Sequence, residues 1–218
     1  VLGSENMANA FINSLIVTIP STVIPITVAA FAAYAFAWMR VPLRGTLFLL
    51  VVALLVVPLQ MALIPVQQLY SALGLNNTFV SVWLAHTAFG LPLAIFLLYN
   101  FISQLPGDLF ETASIDGATH FQMFTKVVLP LSIPALAAFA IFQFLWVWND
   151  LLVALTYLGG LPDQSVMTLE LSRLVGGRGQ QWHLLTAGAF ITMLLPVTVF
   201  LLLQRYFVRG ILAGSVKG

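Results

Sequence analysis

Five apolar stretches, each long enough to cross a bilayer as a helix, constrain this chain more than any other feature. They run from Ser14 to Met39, Leu47 to Leu69, Phe79 to Tyr99, Ile133 to Leu158 and Leu184 to Phe207, and a hydrocarbon core needs about 20 helical residues. Tyrosines aside, the ionisable side chains inside them are His86, Asp150 and, at the very end of the last, Arg205. The expectation is an all-α polytopic membrane protein. Composition agrees: 61% of residues are hydrophobic and 7% are charged, against roughly 25% charged in a soluble domain. With no cysteine and a net charge of +1, disulfides and thiolate metal sites are excluded. Nucleic acid is not an expected partner, because eight scattered Lys and Arg build no basic face.

Aromatic residues mark the span ends. Trp38, Trp83 and Trp182, with Tyr70, Tyr99, Tyr157 and Tyr206, fall at or beside them, as interfacial belts require. Trp146 and Trp148 break this pattern. Positive charge then sets the orientation: Arg40 and Arg44, Lys126, and Arg205, Arg209 and Lys217 all fall on one side of an alternating topology, the expected cytoplasmic side. Residues 1 to 10 carry Glu5 and no positive charge and begin with Val1. An exported start without a preceding signal or anchor helix is unusual, so the first of about six helices is expected to be missing; an inverted or unassisted N-terminus is the alternative.

Proline recurs inside the spans, at Pro20, Pro25, Pro58, Pro65, Pro92 and Pro196, which predicts kinked helices and a bundle that moves. Gln60, Gln67 and Gln68 turn the outer end of the second stretch toward protein or water.

Between the third and fourth stretches lies a polar island. FETASIDGATHF, with Asp108 before it, holds three of the seven acidic residues. Two short helices are predicted. LPGDLFETASID has Asp108 as N-cap with Glu111 three residues on, and Asp116-Gly117 offers a left-handed stop. ATHFQMFTKVVLP spaces Phe121, Phe124 and Val128 along one face and ends at Pro130. Glu111 and Asp116 are five apart and share no helix face, and His120 follows across the glycine break, so neither a catalytic nor a metal site is expected.

The fourth stretch holds the one intramembrane carboxylate. Gln143, Trp146, Asp150 and Tyr157 are spaced along one helical face with Asn149 beside them. A carboxylate near the bilayer centre costs roughly 2.5–3.5 kcal/mol and should face the bundle interior. Rings, amide and carboxylate suit a sugar, which gives a candidate path of Gln143, Trp146, Asn149, Asp150 and Gln60. Bonding between membrane helices is the competing role. His86 receives no role, since a lone helical histidine more often bonds a neighbour's backbone. The segment from 159 to 182 is long for a helix connection.

The order of residues goes further. ETASIDGATHFQMFTKVVLP resembles the EAA motif of ABC importer membrane subunits, with Glu111, Ala113, Gly117, Leu129 and Pro130 at the matching spacings; Thr112 and Val127 depart from it. LWVWNDLLVAL resembles the Trp-Asn-Asp stretch of carbohydrate-type permeases, and QRYFVRGILAGSVKG resembles the tail of the maltose G-type subunit. The resemblance, from about Asn13 onward, implies a type I ABC importer transmembrane fold in a bacterial or archaeal cytoplasmic (inner) membrane. It implies one permease domain, with a cytoplasmic EAA loop over about 106–130 and an external loop over about 159–182. Glu111, Ala113, Asp116, Gly117, Phe121, Leu129 and Pro130 would form a coupling helix that docks on a separate ATPase.

The implied partners are a second permease subunit of the F type, two ATPase subunits and an extracytoplasmic sugar-binding protein near Asp163, Glu170, Arg173 and Arg178. No G-x-x-x-x-G-K-[ST] loop is present, so ATP and magnesium would be held by the ATPase subunits, and this chain would be a transport subunit with no cofactor of its own. The implied cargo is a di- or oligosaccharide such as an α-glucoside. A permease for polyols, amino acids or oxyanions is the alternative, and a stand-alone secondary transporter, which should show internal repeats, is a more distant one.

Overall fold

The computed structural model describes residues 7–176 and 182–215, with side chains given through Gln204 except that of Gly176; Arg178 and Lys217 lie outside the described residues. Among these residues there are helices and no strand. The helices are α1 (Met7–Trp38), α2 (Arg44–Ala53), α3 (Leu59–Ala72), α4 (Phe79–Ile102), α5 (Gly107–Ile115), α6 (His120–Met123), α7 (Leu129–Leu131), α8 (Ile133–Trp148), α9 (Leu152–Leu158), α10 (Met167–Gly176) and α11 (Trp182–Ser215).

Among the described residues, three helices are long and apolar enough to cross a membrane unbroken: α1, α4 and the Trp182–Gln204 part of α11. They run helical past Pro20, Pro25, Pro92 and Pro196, so these prolines do not interrupt them. Two more spans are bent pairs. One pair is Arg44–Val56 with Leu59–Ala72 and the other His120–Leu131 with Ile133–Trp148, each interrupted by a short break. The second stretch is therefore not one straight span. Pro58 has no N–H and forces the residue before it out of the helical region; Val57 is extended, with φ −72° and ψ 115°.

The fourth stretch also departs from expectation. Its helix stops at Trp148, and α9 resumes as a separate element, so Gln143, Trp146, Asp150 and Tyr157 do not share one helical face. Side chains compete with the ladder there: Asn149 Nδ2 donates to Leu145 O at 2.7 Å, and Asp150 Oδ2 accepts from Ala154 N at 3.0 Å.

Two compact units are present. The first takes its described residues from 7–23, 58–89 and 142–202, the second from 24–57, 90–141 and 203–215. In the first unit, Val82, Val153, Tyr157 and Leu158 form the fully buried centre, with Leu63 and Tyr70 against them. A smaller cluster of Met7, Ala10, Met167 and Leu174 seats α10. In the second unit, Ala29, Ala33 and Ala94 lie in one buried cluster with Leu98, Ile102, Phe124 and Val128. Small side chains on α1 and α4 there let membrane helices approach closely.

Candidate functional site

Within the second unit, the polar island folds as two short helices about Gly117. The N-terminal cap differs from expectation. Pro106 is the N-cap and offers no side-chain acceptor to the first turn, in which Asp108 lies. Gly107 is already helical, which moves the start one residue ahead of Asp108 and leaves that carboxylate to favour the helix dipole instead. The C-terminal stop follows expectation. Gly117 has φ +75°, Ala118 N donates to Ala113 O at 2.9 Å and Gly117 N to Ser114 O at 3.1 Å, the paired bonds of a Schellman stop.

The capping box sits one helix later. Thr119 Oγ1 accepts from Gln122 N, and Thr119 N donates to Gln122 Oε1 at 2.8 Å. The second helix does not end at Pro130 but continues through α7. Leu129 N reaches back five residues to Phe124 O, so Phe124–Val128 is a π turn. That one-residue widening precedes Pro130, whose missing N–H would otherwise interrupt the α ladder. Phe124 and Val128 face the core as expected, at 4% and 0% exposure, but Phe121 is 67% exposed. It belongs to the four-residue turn ahead of the π turn and projects away from the core.

The C-terminal end of α1 anchors this loop. The Trp38 ring stacks on Phe110 with centroids 3.7 Å apart and 17° between planes, and its Nε1 donates to Ile102 O at 3.0 Å. Tyr34 Oη lies 3.1 Å from His120 Nδ1, and Phe31 stacks on Phe124 at 4.4 Å. Phe110 is thus the buried anchor of the loop, whereas Leu109 and Phe121 are exposed. Glu111, Asp116, Gly117 and Pro130 are exposed, Leu129 is 38% exposed and Ala113 is half-buried. The arrangement is an inner side packed by aromatic rings and an outer side carrying acids, Ile115 at 86% exposure and Phe121. Nothing in the sequence pattern alone pointed to Trp38 and Tyr34 as the loop's anchors; Trp38 read as an interfacial residue.

The first unit holds the polar residues of the fourth stretch. Gln143, Trp146 and Asp150 do come together, but around His86 rather than along one face. Gln143 Nε2 donates to Ser21 O at 3.1 Å and to His86 O at 3.4 Å. Trp146 meets the His86 ring edge-on at 5.0 Å, and Asp150 Oδ2 lies 3.7 Å from His86 Nε2. Thr168 Oγ1 donates to Asp150 O at 2.7 Å. A cavity lined by Ser14, Thr18, His86, Trp148, Asp150 and Thr168 encloses about 10 Å³ open to a water centre. That is about the lower limit for one water molecule and far below a sugar ring. Asn149 and Gln60 are exposed and line no part of it. Among the described residues no group of three His, Asp or Glu could hold a metal ion.

The segment after α9 is a structured element rather than a long loop. Pro162–Gln164 forms a 3-10 turn and α10 follows. Asn13 Nδ2 donates to Asp163 O and Ser165 O at 2.9 and 3.0 Å. Glu170, placed on the outer surface by sequence, is 6% exposed and pairs with Arg173 Nη1 at 2.6 Å; Arg173 also donates to Gly160 O. Arg173 remains exposed, as does Asp163. Arg173→Ala would leave a buried carboxylate without its cation. Because the arginine is 42% exposed in its side chain, the expected loss is about 1–2 kcal/mol, read as a lower melting temperature in detergent. An unchanged melt would show that the pair contributes nothing.

Residues 10–213 match the family described as the binding-protein-dependent transport system inner membrane component. The osmoprotective compounds uptake permease protein GgtD of Synechocystis is 65% identical over all of this chain and 73% of its own length. The alpha-glucoside transport system permease protein AglG of Rhizobium meliloti is 57% identical over all of this chain and 59% of its own length. The melibiose/raffinose/stachyose import permease protein MelC of Bacillus subtilis is 34% identical over 98% of this chain and 77% of its own length.

Proposed function

The chain belongs to the family of binding-protein-dependent transport system inner membrane components, a multi-pass all-α protein of the type I ABC importer fold, and from that premise we propose that it is a permease subunit for sugar import. Relatives named for alpha-glucosides and for melibiose, raffinose and stachyose support a carbohydrate cargo. A relative named for osmoprotective compounds is at higher identity than either, so an osmoprotective solute is a further candidate cargo. The cargo proposed is an α-glucoside or a solute of that polyhydroxy chemistry.

The observation that carries the coupling role is the two-sided polar island. One side is fixed to α1 by stacked rings, and the other exposes Glu111, Ile115, Asp116 and Phe121 about a left-handed glycine. A rigid element with mixed acid and apolar exposure suits a groove on a second protein, here an ATPase subunit on the cytoplasmic side. ATP and magnesium are then the ATPase subunits' ligands, and this chain carries transport without hydrolysis of its own. Closure of the ATPase pair would move the island. Because rings rather than flexible chain join it to α1, that motion reaches the membrane helices. A second permease chain and an external binding protein complete the assembly, with the exposed Asp163 and Arg173 as candidate contacts of the binding protein. The solute drives switching only by binding the two states with different affinity.

The test is uptake and ATP hydrolysis by the complex in vesicles with its binding protein, over a panel of α-glucosides, other disaccharides and polyols. Stimulation by α-glucosides or related polyhydroxy solutes is expected; stimulation by amino acids or oxyanions alone would overturn the cargo reading. Glu111→Lys is expected to lower solute-stimulated uptake about tenfold while membrane insertion is retained, since reversing an exposed charge costs the monomer little but reverses the charge that the island would present to its partner. Wild-type uptake by this variant would remove Glu111 from the docking surface.

A further inference from the structure

We propose that His86 is a positioning residue for transport, tying α4 to the break between α8 and α9 through Asp150; the proposal rests on the transport reading above. His86 is fully buried, and neither ring nitrogen has a hydrogen-bond partner among the described residues. Such a group is costly to keep in a membrane protein unless it acts. Three residues of the fourth stretch converge on it. The Trp146 ring sets its plane, edge-on at 87°, Gln143 holds its backbone carbonyl, and the Asp150 carboxylate faces its Nε2.

Asp150 is itself the joint of the break. Its carboxylate accepts from Ala154 N at the start of α9, and its carbonyl accepts from Thr168 of α10. Whatever moves Asp150 therefore moves both elements. The separation from His86 Nε2 is 3.7 Å, a few tenths of an ångström beyond a hydrogen bond. A small displacement of α4 or of the break makes or releases this bond, so the pair reads the position of the break. We assign the made bond to one transport state and the released pair to the other. Direct solute contact is a poor alternative, because His86 has no exposed surface and the adjoining cavity admits no sugar. Metal binding fails for want of a third ligand among the described residues.

The assembled complex tests this by solute-stimulated uptake. His86→Phe keeps a ring and loses the donor; His86→Gln keeps a donor that reaches the same carboxylate; Asp150→Ala removes the acceptor. His86→Phe is expected to lose about tenfold in maximal rate with KM within about twofold. His86→Gln should stay within about threefold of wild type, and His86→Phe with Asp150→Ala should be no slower than Asp150→Ala alone, as for groups acting through one contact. Losses that multiply, a His86→Gln as slow as His86→Phe, or a raised KM at unchanged maximal rate would each overturn the proposal. If His86→Phe fails to assemble, His86→Gln against Asp150→Ala decides: equal losses overturn the proposal, and a retained rate in His86→Gln alone supports it. A wild-type complex without solute-stimulated uptake would instead sink the transport reading itself.

Discussion

A complex carrying Gly117→Pro is expected to reach the membrane at wild-type level and to lose uptake on the order of 100-fold. Gly117 holds φ +75°, and proline is locked near −65°. Proline also removes the N–H that donates to Ser114 O. A penalty of about 3 kcal/mol corresponds to about two decades in the population of the docking-competent loop, at 1.4 kcal/mol per decade. The defect stays local, because the glycine is exposed and belongs to no buried cluster. Gly117→Ala separates backbone strain from crowding. A Cβ there would meet nothing within 4 Å, so only the left-handed cost of about 1–2 kcal/mol applies, or roughly five- to thirtyfold. Gly117→Asn should be milder still, since asparagine visits that region more readily. Uptake should therefore rank glycine, asparagine, alanine, proline. Equal uptake by the proline variant and wild type would show that the turn does not matter to coupling.

The parts of the site legible in sequence were those encoded by local chemistry. Apolar length placed the membrane-spanning helices, because the bilayer imposes one dimension on every span. Asp116-Gly117 gave the turn, because only a residue tolerant of positive φ closes a helix that way. The parts that were not legible depend on partners distant in sequence. Helical periodicity assumed an unbroken ladder from Gln143 to Tyr157, and it failed at Asn149 and Asp150, whose side chains bond their own backbone instead. His86 read as an isolated polar residue because its neighbours are 57 or more positions away. Proline was a poor guide as well. The same residue type breaks the chain at Pro58 and passes unbroken at Pro92 and Pro196, so a proline in an apolar run does not by itself fix where a helix stops. Glu170 followed the usual rule that a charge in a polar segment is exposed, yet an arginine three residues on allowed it inside.

Trp38→Ala is the second large expected effect, and it tests whether the loop is held from α1 at all. The indole contributes a stacked contact with Phe110 and a hydrogen bond to Ile102 O, so it joins α1, α4 and α5 at one point. Full truncation of a core tryptophan costs about 3–5 kcal/mol; Trp38 is half-buried, which places the loss near about 3 kcal/mol. Phe110, now 7% exposed, would lose its cover and α5 its seat on α1. Both the melting temperature in detergent and solute-stimulated uptake should fall. Trp38→Phe divides the two contributions, because phenylalanine keeps a ring over Phe110 and forfeits only the hydrogen bond, worth about 1 kcal/mol. Its uptake should stay close to wild type with a small drop in stability. If Trp38→Ala lowered stability but left uptake intact, the Tyr34 and Phe31 contacts with α6 and the π turn would suffice to transmit motion, and the stack on Phe110 would be a packing feature alone. If Trp38→Phe failed as badly as alanine, the hydrogen bond at Ile102 O, at the end of α4, would be the contact through which the loop is held.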